Sequence, residues 1–121
     1  MTDNVNHPAH YEAAHPGMEC IDLTRRLSFC AGNAAKYAWR HRMKGHPVED
    51  LDKAAWYARD AQAHAQPILP GGWASRRTVR RILRRLARDT QGAERDLWTA
   101  FADDDWTAVL DALALMRRTA A

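Results

Sequence analysis

Residues 32–57 read "GNAAKYAWRHRMKGHPVEDLDKAAWY", and this stretch decides the fold. Asn33, Lys36, Tyr37, Arg40 and Lys44 recur at intervals of three and four, the spacing of one stripe on a helix. Gly45-His46-Pro47 interrupts the pattern, and Pro47 fits the first turn of a following helix, where its missing N–H costs nothing. Glu49 and Asp50 suit the positive end of that helix. Leu51, Ala54, Ala55 and Ala58 supply its inner face, and the helix fades near Ala65. Lys53, Tyr57 and Asp60 form a second stripe, with Trp56 beside it. Two successive helices thus carry cations and aromatics along one side.

On the N-terminal side, "MECIDLTRRLSFCA" (18–31) places Ile21, Leu23, Leu27 and Cys30 together and predicts a short helix. Gly32 marks its junction with the next helix or a close backbone approach. Residues 1–17 contain two His-Pro steps and a glycine, which favours an extended arm. On the C-terminal side, "QPILPGGWAS" (66–75) is the clearest boundary, and Ser75 is the expected N-cap of "RRTVRRILRRLAR". "AERDLWTAFA" and "DDDWTAVLDALALMRRT" predict two more helices, the second with an acidic start and a basic end that both agree with its dipole. Without any alternating strand pattern, the expectation is an all-α protein. A small helical domain with its arm occupies 1–66, a linker 67–74, and a C-terminal helical extension 75–121.

A chain of 121 residues with 46% apolar content can bury a core. No window approaches the roughly 18 apolar residues of a membrane span, and the N-terminus lacks the basic start and apolar run of a secretion signal. A cytoplasmic location is expected. Cys20 and Cys30 make a poor disulfide framework and read as small buried apolar residues. Residues 1–66 balance eight Lys/Arg against eight Asp/Glu, whereas 67–121 carry ten arginines against seven acids.

A stripe of an amide, cations and a phenol makes a poor core face but a good anion-facing one. Arginine offers a bidentate fork, lysine a mobile point charge, and an aromatic beside them a platform for a base. The same residues also fit a plainer account, with the aromatics packing and Lys36 and Arg40 pairing with Glu49, Asp50 or Asp52. His7, His10 and His15 with Cys20 match no standard zinc spacing, while His10 and Tyr11 are placed to cap a ligand pocket from the arm.

"VNHPAHY", "GMECIDL", "FCAGNAAKYAWRHRMKG" and "EDLDKAAWY", in that order over residues 5–62, resemble the SaV-like domain family of tailed bacteriophages. That family is of unknown function and is often labelled phage nucleotide kinase. The resemblance implies an oligomer that binds nucleotides or phosphorylates deoxynucleoside monophosphates without a P-loop, using ATP and Mg²⁺ if it is an enzyme and no cofactor otherwise. It carries over to His7, His10, Tyr11, Glu19, Asn33, Lys36, Tyr37, Arg40, Lys44, Asp50, Lys53 and Tyr57 without assigning their roles. Glu19, Lys36 and Asp50 are the catalytic candidates, and Glu19, Glu49 and Asp50 the candidate Mg²⁺ carboxylates. The expected nucleotide site joins His10 and Tyr11 from the arm to Asn33, Lys36, Tyr37, Arg40, Lys44, Lys53 and Tyr57.

Two other classes fit the sequence. One is a sponge that sequesters a host defence nucleotide without turnover, which needs a buried pocket between subunits. The other is a nucleic-acid binder that uses the Arg76, Arg80 and Arg84 stripe of an arginine-rich helix. No P-loop, kinase glycine loop or dinucleotide fingerprint is present.

Overall fold

The computed structural model describes residues 19–43 and 45–121. Six helices follow one another: α1 (Cys20–Thr24), α2 (Phe29–Arg40), α3 (Pro47–Ala63), α4 (Trp73–Arg88), α5 (Gly92–Ala102) and α6 (Trp106–Ala120). Among the described residues there is no strand, and no helix is long and apolar enough to cross a membrane.

The predicted helix over 18–31 is two elements. A capping box at Glu19 and Asp22 starts α1, and the Arg25 and Arg26 side chains then donate to the Ile21 and Asp22 carbonyls at its end. Ser28, in extended conformation, accepts a hydrogen bond from the Ala31 N–H and opens α2 at Phe29. Gly32 therefore lies inside α2 and not at a junction. Its role is close approach: a Cβ there would meet the Thr24 carbonyl at 3.2 Å. The Gly45 turn (φ +71°) leads to α3, where Pro47 occupies the first turn as its fixed φ dictates.

The fourth helix also departs from expectation. It begins at Trp73, with Gly72 and not Ser75 as N-cap, because Gly72 is extended and its carbonyl accepts from the Arg76 N–H at 2.8 Å. The segment before it is packed. Ile68 and Leu69 are buried, Asp104 accepts from the Ile68 N–H at 2.7 Å, and the Trp106 indole donates to the Gln66 carbonyl at 2.7 Å.

Helix α2 packs along α3, α3 against α6, α6 against α5 and α5 against α4, while α1 touches α2 and α4. A single core runs through all of them. Trp39 from α2 meets Trp98 from α5 edge to face at 6.2 Å, and Phe101 and Trp106 extend the aromatic contacts. The alanine-rich faces of α2 and α3 (Ala31, Ala34, Ala35 and Ala38 against Ala54, Ala58 and Ala61) are buried, so the two stripes of cations and tyrosines face each other along the rim of this pair.

Candidate functional site

Small inner residues let α2 and α3 lie close, and the larger residues beside them therefore meet. Tyr37 and Tyr57 stack with ring centroids 6.0 Å apart and planes only 7° from parallel. Around the Tyr37 ring stand three cations: Lys36 Nζ at 5.0 Å, Lys53 Nζ at 5.3 Å and the Arg40 guanidinium carbon at 5.5 Å. No two of these cations can be farther apart than about twice that distance. Each contact to an aromatic face contributes on the order of 0.5–1 kcal/mol where solvent reaches it. That gain offsets part of the mutual repulsion.

Two carboxylates share the site. Asp50, buried in the first turn of α3, faces Arg40 at 3.6 Å, and exposed Glu49 lies 3.6 Å from Lys53. Arg40 Nε and Asp50 Oδ2 are nonetheless buried without a hydrogen-bond partner, so this pair places charge without saturating it. Lys36 has no carboxylate partner among the described residues. Three cations thus stand against two carboxylates, with the surplus at Lys36.

The aromatic cluster continues to the surface. Phe29 and Trp56 both meet the Tyr57 ring edge-on, at 5.9 and 5.1 Å, and both are largely exposed, at 72% and 57%. Phe29 was missing from the expected site. Its signal was present: Phe29, Asn33 and Tyr37 stand four residues apart on one stripe.

The structure brings together Lys36, Tyr37, Arg40, Asp50, Lys53 and Tyr57. Asn33 belongs to the same helix, but its amide donates to the Phe29 carbonyl at 2.8 Å and so is partly committed to its own backbone. Glu19 caps α1. His7, His10, Tyr11, His15 and Lys44 lie outside the described residues. Asp60 accepts from the Cys30 thiol at 3.3 Å, and that bond adds to burial in holding the thiol above its usual pKa. Burial pushes the Cys20 thiol up to about 12 against the opposing pull of the Lys36 charge, so both cysteines are neutral space-fillers.

Among the described residues no three His, Cys, Asp or Glu side chains come together as a metal site. Asp50 is buried against Arg40 and Glu49 is engaged by Lys53, an arrangement that fits orientation of cations better than a preformed Mg²⁺ cage. Glu19, the third candidate carboxylate, is engaged in the capping box that starts α1.

Residues 5–59 match the model of DUF3310, a family of proteins of unknown function. No curated protein and no solved structure matches the chain.

Proposed function

We propose that the α2–α3 face binds a nucleoside phosphate. The observation that carries this reading is the ring of Lys36, Arg40 and Lys53 around Tyr37, within 5.0–5.5 Å of one centroid and only partly neutralised. A phosphate or diphosphate presents acceptors to two or three such cations at once, and each charge-assisted bond is worth about 1.5–3 kcal/mol. Asp50 keeps Arg40 in place. Phe29 and Trp56, exposed at the edge of the same aromatic cluster, are the platform for a base. Adenine or another base stacked there leaves its phosphates over Lys36 and Lys53.

The resemblance to the SaV-like phage family supports the same ligand class and adds phosphoryl transfer as the activity to test. Ordering and association costs take back several kcal/mol, so one open face predicts binding in the micromolar to millimolar range. That range suits a substrate site. A sponge that captures a signal at nanomolar levels needs a more enclosed pocket, built with the arm or a second copy.

The test is incubation of the protein with ATP, Mg²⁺ and a mixture of deoxynucleoside monophosphates, with the filtrate resolved by anion exchange. New diphosphate peaks that vanish with Lys36→Ala establish a phosphotransferase at this face. Depletion of one nucleotide without new peaks establishes a binder. If direct titration then finds no nucleotide bound by the wild-type protein, the reading is wrong.

A further inference from the structure

A second positive face lies on α4, and its construction differs from that of the first. The helix carries seven arginines and no acid. Val79, Leu83, Leu86 and Ala87 are buried, which turns the arginines outward. Trp73, Arg76, Arg77, Arg80, Arg81 and Arg84 line one open groove of about 500 Å³.

Neutralisation on this face is sparse. Arg84 pairs with Asp103 at 3.2 Å and Arg85 with Asp89 at 3.7 Å. Arg77, Arg81 and Arg88 have no carboxylate partner among the described residues. Arg76 and Arg80 are tethered differently: each donates its Nε to a backbone carbonyl, Pro70 at 3.3 Å and Ala102 at 3.0 Å. A carbonyl fixes the guanidinium plane without cancelling its charge, and the terminal amino groups remain for an outside acceptor. Such a fork loses less freedom when it binds a phosphate.

Trp73 adds a different chemistry. It is 77% exposed at the first position of the helix and makes no ring contact with the described residues. A large exposed indole at the end of an arginine groove buries little of its surface in the fold. Stacked bases in a duplex do not offer their faces to it, but the bases of a single strand do.

The geometry points to single-stranded nucleic acid as the ligand of the α4 groove, its phosphates on Arg76, Arg77, Arg80 and Arg81 and a base stacked on Trp73. This assignment is independent of the α2–α3 site. Binding is largely independent of sequence and weakens with salt, because phosphate neutralisation releases counterions.

The experiment is fluorescence anisotropy of a labelled oligothymidylate, and of a duplex of equal length, over a salt series. The single strand is expected to bind more tightly than the duplex. Trp73→Ala should lower affinity about ten-fold with the salt slope unchanged, as expected for loss of one stacked base. Arg77→Gln with Arg81→Gln should reduce the slope by about 1.4, since each of the two phosphate contacts contributes about 0.7 on a single strand. Both variants alter exposed side chains, and thermal melts check that they fold. Lys36→Ala should leave strand binding intact. The assignment is overturned by absence of strand binding at low salt, by equal strand and duplex affinities insensitive to Trp73→Ala, or by loss of strand binding in Lys36→Ala.

Discussion

The α2–α3 face and the α4 face both gather cations beside an aromatic residue, but they hold that charge by different means. On α2–α3 the cations surround a stacked tyrosine pair, and Asp50 is buried behind Arg40. On α4 most of the arginines reach into solvent, two of them held only by backbone carbonyls. The first arrangement belongs to the fold, so a ligand there meets prepositioned groups. The second is attached to the fold by one apolar stripe and can be altered with little structural cost. Substitutions should therefore separate the two faces in stability before they separate them in binding.

The largest separation is expected at Asp50. Replacing it with Ala leaves the half-buried Arg40 charge without its counter-ion, and the cost should be about 2–4 kcal/mol of unfolding free energy. Arg40 keeps some solvent, which places the cost low in the range for buried pairs. Denaturant titration of Asp50→Ala beside Arg77→Gln/Arg81→Gln checks this, each of the latter two substitutions costing about 0.5 kcal/mol or less. Equal losses would erase the contrast.

This difference between the faces was not legible in the sequence. Spacing placed Lys36, Tyr37 and Arg40 on one stripe and Arg76, Arg80 and Arg84 on another, and to a periodicity argument the two look alike. Pro47 announced the start of α3, and Leu51, Ala54 and Ala58 announced its inner face, so the helical class could be read directly, whereas the matching alanine face of α2 went unread. The break before Ser28 could not be read. It depends on Arg25 and Arg26 folding back onto carbonyls of α1, a choice that apolar spacing does not register. Trp73 was hidden for a similar reason: with Ser75 as the expected cap it fell in a linker, and the structure places it on the arginine helix. Burial of Asp50 needed both helices in place.

A second separation concerns ligand affinity. Lys36 is the cation of the α2–α3 face without a carboxylate partner among the described residues, so Lys36→Ala should cost little stability. It should cost about 1.5–3 kcal/mol of nucleotide binding, the range for one charge-assisted contact. Calorimetric titration with nucleoside mono-, di- and triphosphates measures it. A loss of folding stability as large as that of Asp50→Ala would make Lys36 structural and remove the surplus charge from the argument.

A smaller effect sharpens how α1 packs beside α2. Cys20 is buried near Lys36, and its thiol, ordinarily titrating at 9.0, is held neutral to about 12 chiefly by desolvation. A raised folded pKa means that the neutral thiol's contribution is whole below pH 9.0. It is then lost progressively as pH climbs toward 12, when the unfolded chain alone releases the proton. The slope is at most about 1.4 kcal/mol per pH unit within that window. Unfolding free energies of wild type and Cys20→Ala, measured at pH 8 and about one unit above 9, should therefore converge by about 1 kcal/mol. Parallel curves would mean that the thiol is not desolvated in the folded protein.

The smallest effect tests whether the α4 face is as loosely attached as its exposure implies. Arg84 and Asp103 approach to 3.2 Å, but their side chains remain 46% and 55% exposed. Screening and side-chain entropy reduce such a pair to about 0–1 kcal/mol. A double-mutant cycle with Arg84→Gln and Asp103→Asn should return a coupling near 0.3 kcal/mol that vanishes in high salt. That small value has a functional consequence: a phosphate arriving in the groove can take Arg84 from Asp103 at almost no cost to the fold. A coupling above about 1.5 kcal/mol, insensitive to salt, would place Arg84 with Arg40 as a structural cation. The groove would then end at Arg81, one helical turn shorter than its arginine stripe.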